Sequence, residues 1–176
     1  MKTTFLFVLA LLSVPFFWSQ QSQWRVEDDY VVKFSGTGAE GTFRNLSGSI
    51  VFDPADLGSS KFDVAVDANT ISTGNKTKDK HARGDSWFDT DNYPKIRFVS
   101  SNITRSKTGY QVTGTLELHG VQKQVEIPFT FDPQGGSGVF EGSFTVDRKE
   151  YEINGPFFGF MVGDEFEIML KVPVRQ

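Results

Sequence analysis

Residues 110–131 read YQVTGTLELHGVQKQVEIPFTF, and this stretch decides the fold. In its first half, Tyr110, Val112, Gly114, Leu116 and Leu118 alternate with Gln111, Thr113, Thr115, Glu117 and His119. Beyond His119-Gly120, Val125, Ile127, Phe129 and Phe131 alternate with Gln124, Glu126, Pro128 and Thr130. Successive side chains of a strand point to opposite faces. The stretch therefore predicts two antiparallel strands joined by a tight turn, each with one wet face and one dry face.

The same period continues in both directions. Ile96 and Phe98 oppose Lys95 and Arg97. Strands are expected at 31–36, 41–52, 61–67, 95–104, 110–118, 122–131, 139–147 and 165–174, with breakers such as Asp53-Pro54, Lys107-Thr108-Gly109 and Asp132-Pro133 between them. A sheet of this kind must hide its dry face. Closing it into an eight-stranded antiparallel barrel does so and removes the strand edges. The expected fold class is thus all-β, in one domain. Gly135-Gly136-Ser137-Gly138 is short and lies between two alternating runs, so it reads as a hairpin loop and not as a linker.

Residues 71–94 break the pattern. Residues 75–83 are charged and suit one short helix, with Thr73 or Asn75 as N-cap and Gly84 as its stop. Trp87 and Phe88 follow as an apolar pair. A connection of this length either covers something or crosses over the surface, and the aromatic pair fits a lid turned inward as well as a simple anchor.

Composition narrows the function classes. The 176-residue chain is 38% hydrophobic and 23% charged, ordinary for a globular domain. Its 18 Phe, against 3 Trp and 4 Tyr, suit either a Phe-packed core or a greasy cavity. A net charge of −4 with no basic cluster argues against nucleic acid as a partner. With no cysteine there is no disulfide, thiol nucleophile or zinc-thiolate site. Residues 1–20 read as a signal peptide: Lys2, a short apolar run from Phe5 to Leu12, then a break at Ser13 and Pro15. That run is too short to span a bilayer. Cleavage near Ser19 or Gln20 is expected to leave 17 basic against 22 acidic residues, or −5, in an exported, soluble protein.

Catalytic constellations are scarce. His81 lies near Asp79 and Asp85, and His119 ends a hairpin strand; neither has metal-ligand spacing. An enzyme using His81 with Asp79 or Asp85 is the alternative to a binding protein. A membrane barrel would have the faces reversed, which the charged 75–83 segment and the lack of aromatic girdles oppose. The dry face also carries glycines, at 36, 48, 114 and 142, which suit either bends at barrel corners or room for a guest.

Several runs together resemble the YceI-like family. They are Lys78-Asp79-Lys80-His81-Ala82-Arg83, Trp87-Phe88-Asp89 and Tyr93-Pro94-Lys95-Ile96-Arg97-Phe98. The family's usual forms are Arg-Asp-x-His-Leu, Phe-Phe-Asp and Tyr-Pro-x-Ile-x-Phe, so Lys78, Ala82 and Trp87 are departures. Thr70-Ile71-Ser72-Thr73-Gly74, Gly114-Thr115-Leu116 with Gly120-Val121, and Val162-Gly163-Asp164-Glu165 resemble further family segments, in order. The resemblance implies a lipocalin-like barrel, usually periplasmic or secreted, without a catalytic centre. It also implies that long isoprenoid chains, polyprenyl or quinone tails, bind in an apolar tunnel for transport, storage or stress protection.

Combined with the register, this places Val64, Val66, Phe98, Val112, Leu116, Ile127, Phe129, Phe144, Phe166 and Ile168 on the tunnel wall, with Gly114 and Gly142 leaving room. Lys78, His81, Arg83, Trp87 and Phe88 are expected at the mouth or lid. The expected ligand is a polyisoprenoid or isoprenoid quinone, with no metal and no other cofactor. The sequence leaves the oligomeric state open, a dimer included.

Overall fold

The computed structural model describes residues 23–155 and 161–176; the segment read as a signal peptide, 1–20, lies outside them. Alternation builds nine strands among the described residues: β1 (Gln23–Val26), β2 (Val31–Gly36), β3 (Ala39–Val51), β4 (Lys61–Ser72), β5 (Lys95–Ser106), β6 (Gly109–Leu118), β7 (Val121–Pro133), β8 (Ser137–Asp147) and β9 (Glu165–Arg175). All pairings are antiparallel. They run β3-β2-β9-β8-β7-β6-β5-β4, and β4 pairs back onto β3 to close the ring. β1 adds no new position. It pairs with the same neighbours as β2, at their far ends: Gln23 lies opposite Val51 of β3, and Arg25 opposite Arg175 of β9. The barrel thus has eight positions, one of them filled by two short strands in series. β1 escaped sequence reading because four residues are too few to show a period.

Two irregularities explain where the expected boundaries slip. β4 runs on to Ser72, past the expected end at 67. Ala68 and Ile71 are both buried, so the inward parity changes between them. Asp67 accepts from the Asn69 amide at 2.9 Å, and Thr70 Oγ1 accepts from the Arg44 amide at 2.7 Å. This local bonding replaces ladder bonds and hides the end of the strand from a period-two reading. In β5 the register shifts between Ser100 and Asn102, which turns Ile103 inward where strict alternation from Phe98 would turn it out.

The interior is divided along the barrel axis. One end, where β1 sits, is filled with rings. Phe52 is fully buried and packs against Tyr110, Phe129, Phe131 and Phe140 with centroids 5.0–5.6 Å apart. Mostly edge-on contacts of this kind stabilise beyond simple area burial. Trp24 seals the end, donating its indole N–H to the Phe52 carbonyl at 2.8 Å. The other end is covered by α1 (Lys76–Arg83), which fills the expected helical segment. Asn75 is its N-cap, accepting from the Thr77 and Lys78 amides at 3.0 and 3.1 Å. Asp79 accepts from both the amide and the hydroxyl of Thr73 at 2.7 Å, tying the helix to the end of β4.

Candidate functional site: an apolar cavity beneath α1

The half of the barrel under α1 holds a cavity of about 370 Å³. Its walls are inward residues of seven strands: Val32 and Phe34 on β2, Phe43 on β3, Val66 and Ile71 on β4, Ile96 on β5, Leu116 and Leu118 on β6, Phe144 and Val146 on β8, and Phe166 and Ile168 on β9. The roof is Lys78, His81 and Ala82 of α1 with Trp87 and Phe88. After α1 the chain folds back beneath the helix, because the Phe88 amide donates to the Ala82 carbonyl and the Trp87 amide to that of Gly84, both at 3.0 Å. Phe88 then meets Phe43 edge-on at 5.6 Å. The aromatic pair therefore faces inward.

A buried arginine locks this end. Arg148, in a short 3₁₀ turn (Arg148–Tyr151) after β8, is only 6% exposed. Its guanidinium donates to the carbonyls of Ile153, Gly163 and Val162 at 2.6, 3.0 and 3.2 Å, and to Asp164 at 2.9 Å. It also lies 5.2 Å over the Trp87 ring, joining the roof to the loop before β9. Hydrogen bonding from Lys149, with the charges of Lys149 and Arg148, holds the Asp164 carboxyl below the usual carboxylate range.

The expected tunnel residues divide between the two halves. Val66, Leu116, Phe144, Phe166 and Ile168 line the cavity. Phe98, Val112, Ile127 and Phe129 point inward but are buried in the packed half, and Val64 packs against that core. A tunnel through the whole barrel is thus replaced by a cavity in one half. Gly114 and Gly142 lie outside the cavity lining, and the space at both is taken. A Cβ on Gly114 would lie 2.5 Å from the Phe98 ring and from the Val99 carbonyl; one on Gly142 would lie 2.7 Å from the Pro128 carbonyl. These glycines serve close strand contact, not a guest. Gly48 is exposed at an irregular stretch of β3, with φ +126°, and a Cβ there would strike the Asp63 carbonyl of β4.

Of the residues expected at the mouth or lid, Lys78, His81, Trp87 and Phe88 line the cavity, and Arg83 does not. Its guanidinium reaches the Asn69 carbonyl on β4 at 3.5 Å. Residues 78, 81 and 82 share a helix face; 83 turns away from it. The alternative catalytic grouping is not assembled. Asp79 is engaged by Thr73, which lowers its pKa through the two hydrogen bonds, and neither Asp79 nor Asp85 pairs with His81 among the described residues. His119 sits 3.1 Å from the Tyr151 carbonyl, its ring against Tyr93. No group of three or more potential metal ligands occurs among the described residues.

Sequence reasoning passed over several lining residues. Ile96, Leu118 and Val146 share the register of residues already assigned inward, so alternation alone was enough to find them. Ile71 was hidden by the break in β4. Arg148, flanked by Asp147 and Lys149, looks like a surface residue and carries no sequence signal of burial.

Fold and site together define a closed antiparallel β-barrel with an apolar cavity roofed by a helix. The chain belongs to the YceI-like domain family, which matches residues 20–174. It is 30% identical over 141 residues to a UPF0312 protein of Yersinia pestis, covering 75% of this chain and 71% of that one. A UPF0312 protein of Pseudomonas savastanoi pv. phaseolicola is 36% identical over 124 residues, or 66% of this chain and 64% of its own length. Among solved structures, Burkholderia cenocepacia BcnA superposes with a TM-score of 0.79 at 26% identity, covering 85% of this chain and 99% of BcnA. A polyisoprenoid-binding domain from Saccharophagus degradans, implicated in plant cell wall breakdown, shares the fold with a TM-score of 0.64 at 13% identity; 86% of this chain and 97% of that domain are covered.

Proposed function

We propose that this chain is an exported protein that binds an isoprenoid-type lipid, a polyprenyl or quinone tail, inside its barrel, for transport, storage or stress protection. The observation that carries the reading is the cavity under α1, walled by aliphatic and aromatic side chains and roofed by Trp87 and Phe88. Most of that surface is apolar, and its few polar side chains, such as Lys78 and His81, lie among aliphatic and aromatic ones. It suits a hydrocarbon chain, whose burial is worth about 25 cal/mol per Å² removed from water. Lys78 and His81 border the cavity from α1, and a head group beside them would meet a cation and an imidazole. The polyisoprenoid-binding description of the Saccharophagus domain of the same fold supports this choice of ligand.

Native mass spectrometry of the purified chain, with organic extraction of what it carries, tests the reading. A prenyl lipid retained at near one-to-one ratio is expected. A protein that is always empty, and that takes up no prenyl lipid when offered it, contradicts the reading. N-terminal sequencing of the exported protein tests the leader: residues 1–20 are expected to be missing, and retention of Met1 overturns that part.

A further inference from the structure

The cavity has a floor. On β5, Phe98 is the next inward residue below the wall residue Ile96, and it is buried. Its ring occupies the space beside Gly114, as the 2.5 Å approach to a Cβ there shows. Beneath it lies the ring cluster of Phe52, Phe129 and Phe140, with centroids 5.3–6.0 Å apart. None of these four phenylalanines lines the cavity. A side-chain-filled half-barrel therefore closes one end, and α1 stands over the other.

The volume limits what fits above that floor. An apolar cavity of about 150 Å³ holds one benzene ring, so the 370 Å³ here accommodates about 15 carbons. We infer that the cavity is blind at the Phe98 end and encloses about three isoprene units, leaving the rest of any longer tail outside the barrel. This rests on the lipid-binding reading above and adds a length limit to it. Binding strength then grows with chain length only until the cavity is full, because carbons beyond the mouth stay in water.

The test is displacement of a fluorescent apolar dye from the full chain by geraniol, farnesol and geranylgeraniol, which add one isoprene unit at each step. The step from geraniol to farnesol is expected to tighten binding about tenfold or more, since each unit buries several carbons. The step from farnesol to geranylgeraniol is expected to change it less than about threefold. A second step as large as the first overturns the blind cavity while leaving lipid binding intact. Failure of all three alcohols to bind removes the lipid-binding reading and this inference with it. In a folded Phe98→Ala protein, or in Phe98→Leu where the alanine variant does not fold, the floor is lowered and the second step is expected to grow. An unchanged second step in a folded variant overturns the role of Phe98 as the floor.

Discussion

Replacing Arg148 by Met keeps much of its stem but removes the guanidinium that binds the roof to the loop before β9. Three carbonyls, of Ile153, Gly163 and Val162, lose their donor, and Asp164 loses one of its two cationic partners. Hydrogen bonds to a charged group are worth about 1.5–3 kcal/mol each. Removing one partner of a buried ion pair costs about 3–5 kcal/mol. Asp164 is partly exposed and keeps Lys149 at 2.8 Å, so the lower end of that range applies, about 3 kcal/mol. At about 2–4 °C per kcal/mol for a domain of this size, Tm should fall by roughly 6–12 °C. Arg148→Lys restores a charge without the planar fork and should recover less than half of the loss. Urea unfolding of the three proteins gives the comparison. A loss under about 1 kcal/mol for Arg148→Met would refute the argument that these bonds lock the roof.

Other substitutions probe the rest of the account. Phe52→Ala should cost about 3–5 kcal/mol in urea unfolding, because Phe52 is fully buried among five rings; a cost near 1 would mean that the ring cluster is loosely packed. Gly114→Ala should destabilise by about 1–3 kcal/mol, since its Cβ meets the Val99 backbone; unchanged stability would show that the space is open. Burial raises the Tyr151 phenol to about 12. Its contribution to stability is complete below the ordinary phenol value near 10 and is lost as pH rises through about 12. An ultraviolet titration should show a tyrosine ionising late, and Tyr151→Phe should remove that step. Asp79 and Asp164 titrate below ordinary carboxylates because Thr73 and Lys149 bond them. The stability they supply is present above about pH 4 and is lost as pH falls further, which thermal unfolding between pH 6 and pH 3 would register as a falling Tm.

How far the sequence could be read depended on how local each feature is. Alternation in residues 110–131 carries both strands and their inward faces, because the period of two is set by the backbone alone. The helix was legible for the same reason: Asn75 and Gly84 bracket a charged run, and capping is a local matter. Closure of β4 onto β3 follows once the dry face must be hidden. The division of the interior was not legible. Val112 and Leu116 look alike in sequence, yet one belongs to the packed half and the other to the cavity wall. Only the convergence of Trp24, Phe52, Phe129 and Phe140 from distant parts of the chain separates them. Gly114 misled because a missing side chain reads as space, while the ring that fills it comes from Phe98 on the neighbouring strand. Arg148 was invisible because its burial is created by the loop that wraps it.

The central claim is that a hydrocarbon chain occupies the barrel half beneath α1. A crystal structure of the full chain equilibrated with farnesol tests it most directly. Continuous density is expected from beside Lys78 and His81 down to the Phe98 ring, enclosed by Phe43, Phe88 and Phe166. A guest on the outer surface, or a barrel whose upper half is filled by its own side chains, would contradict it.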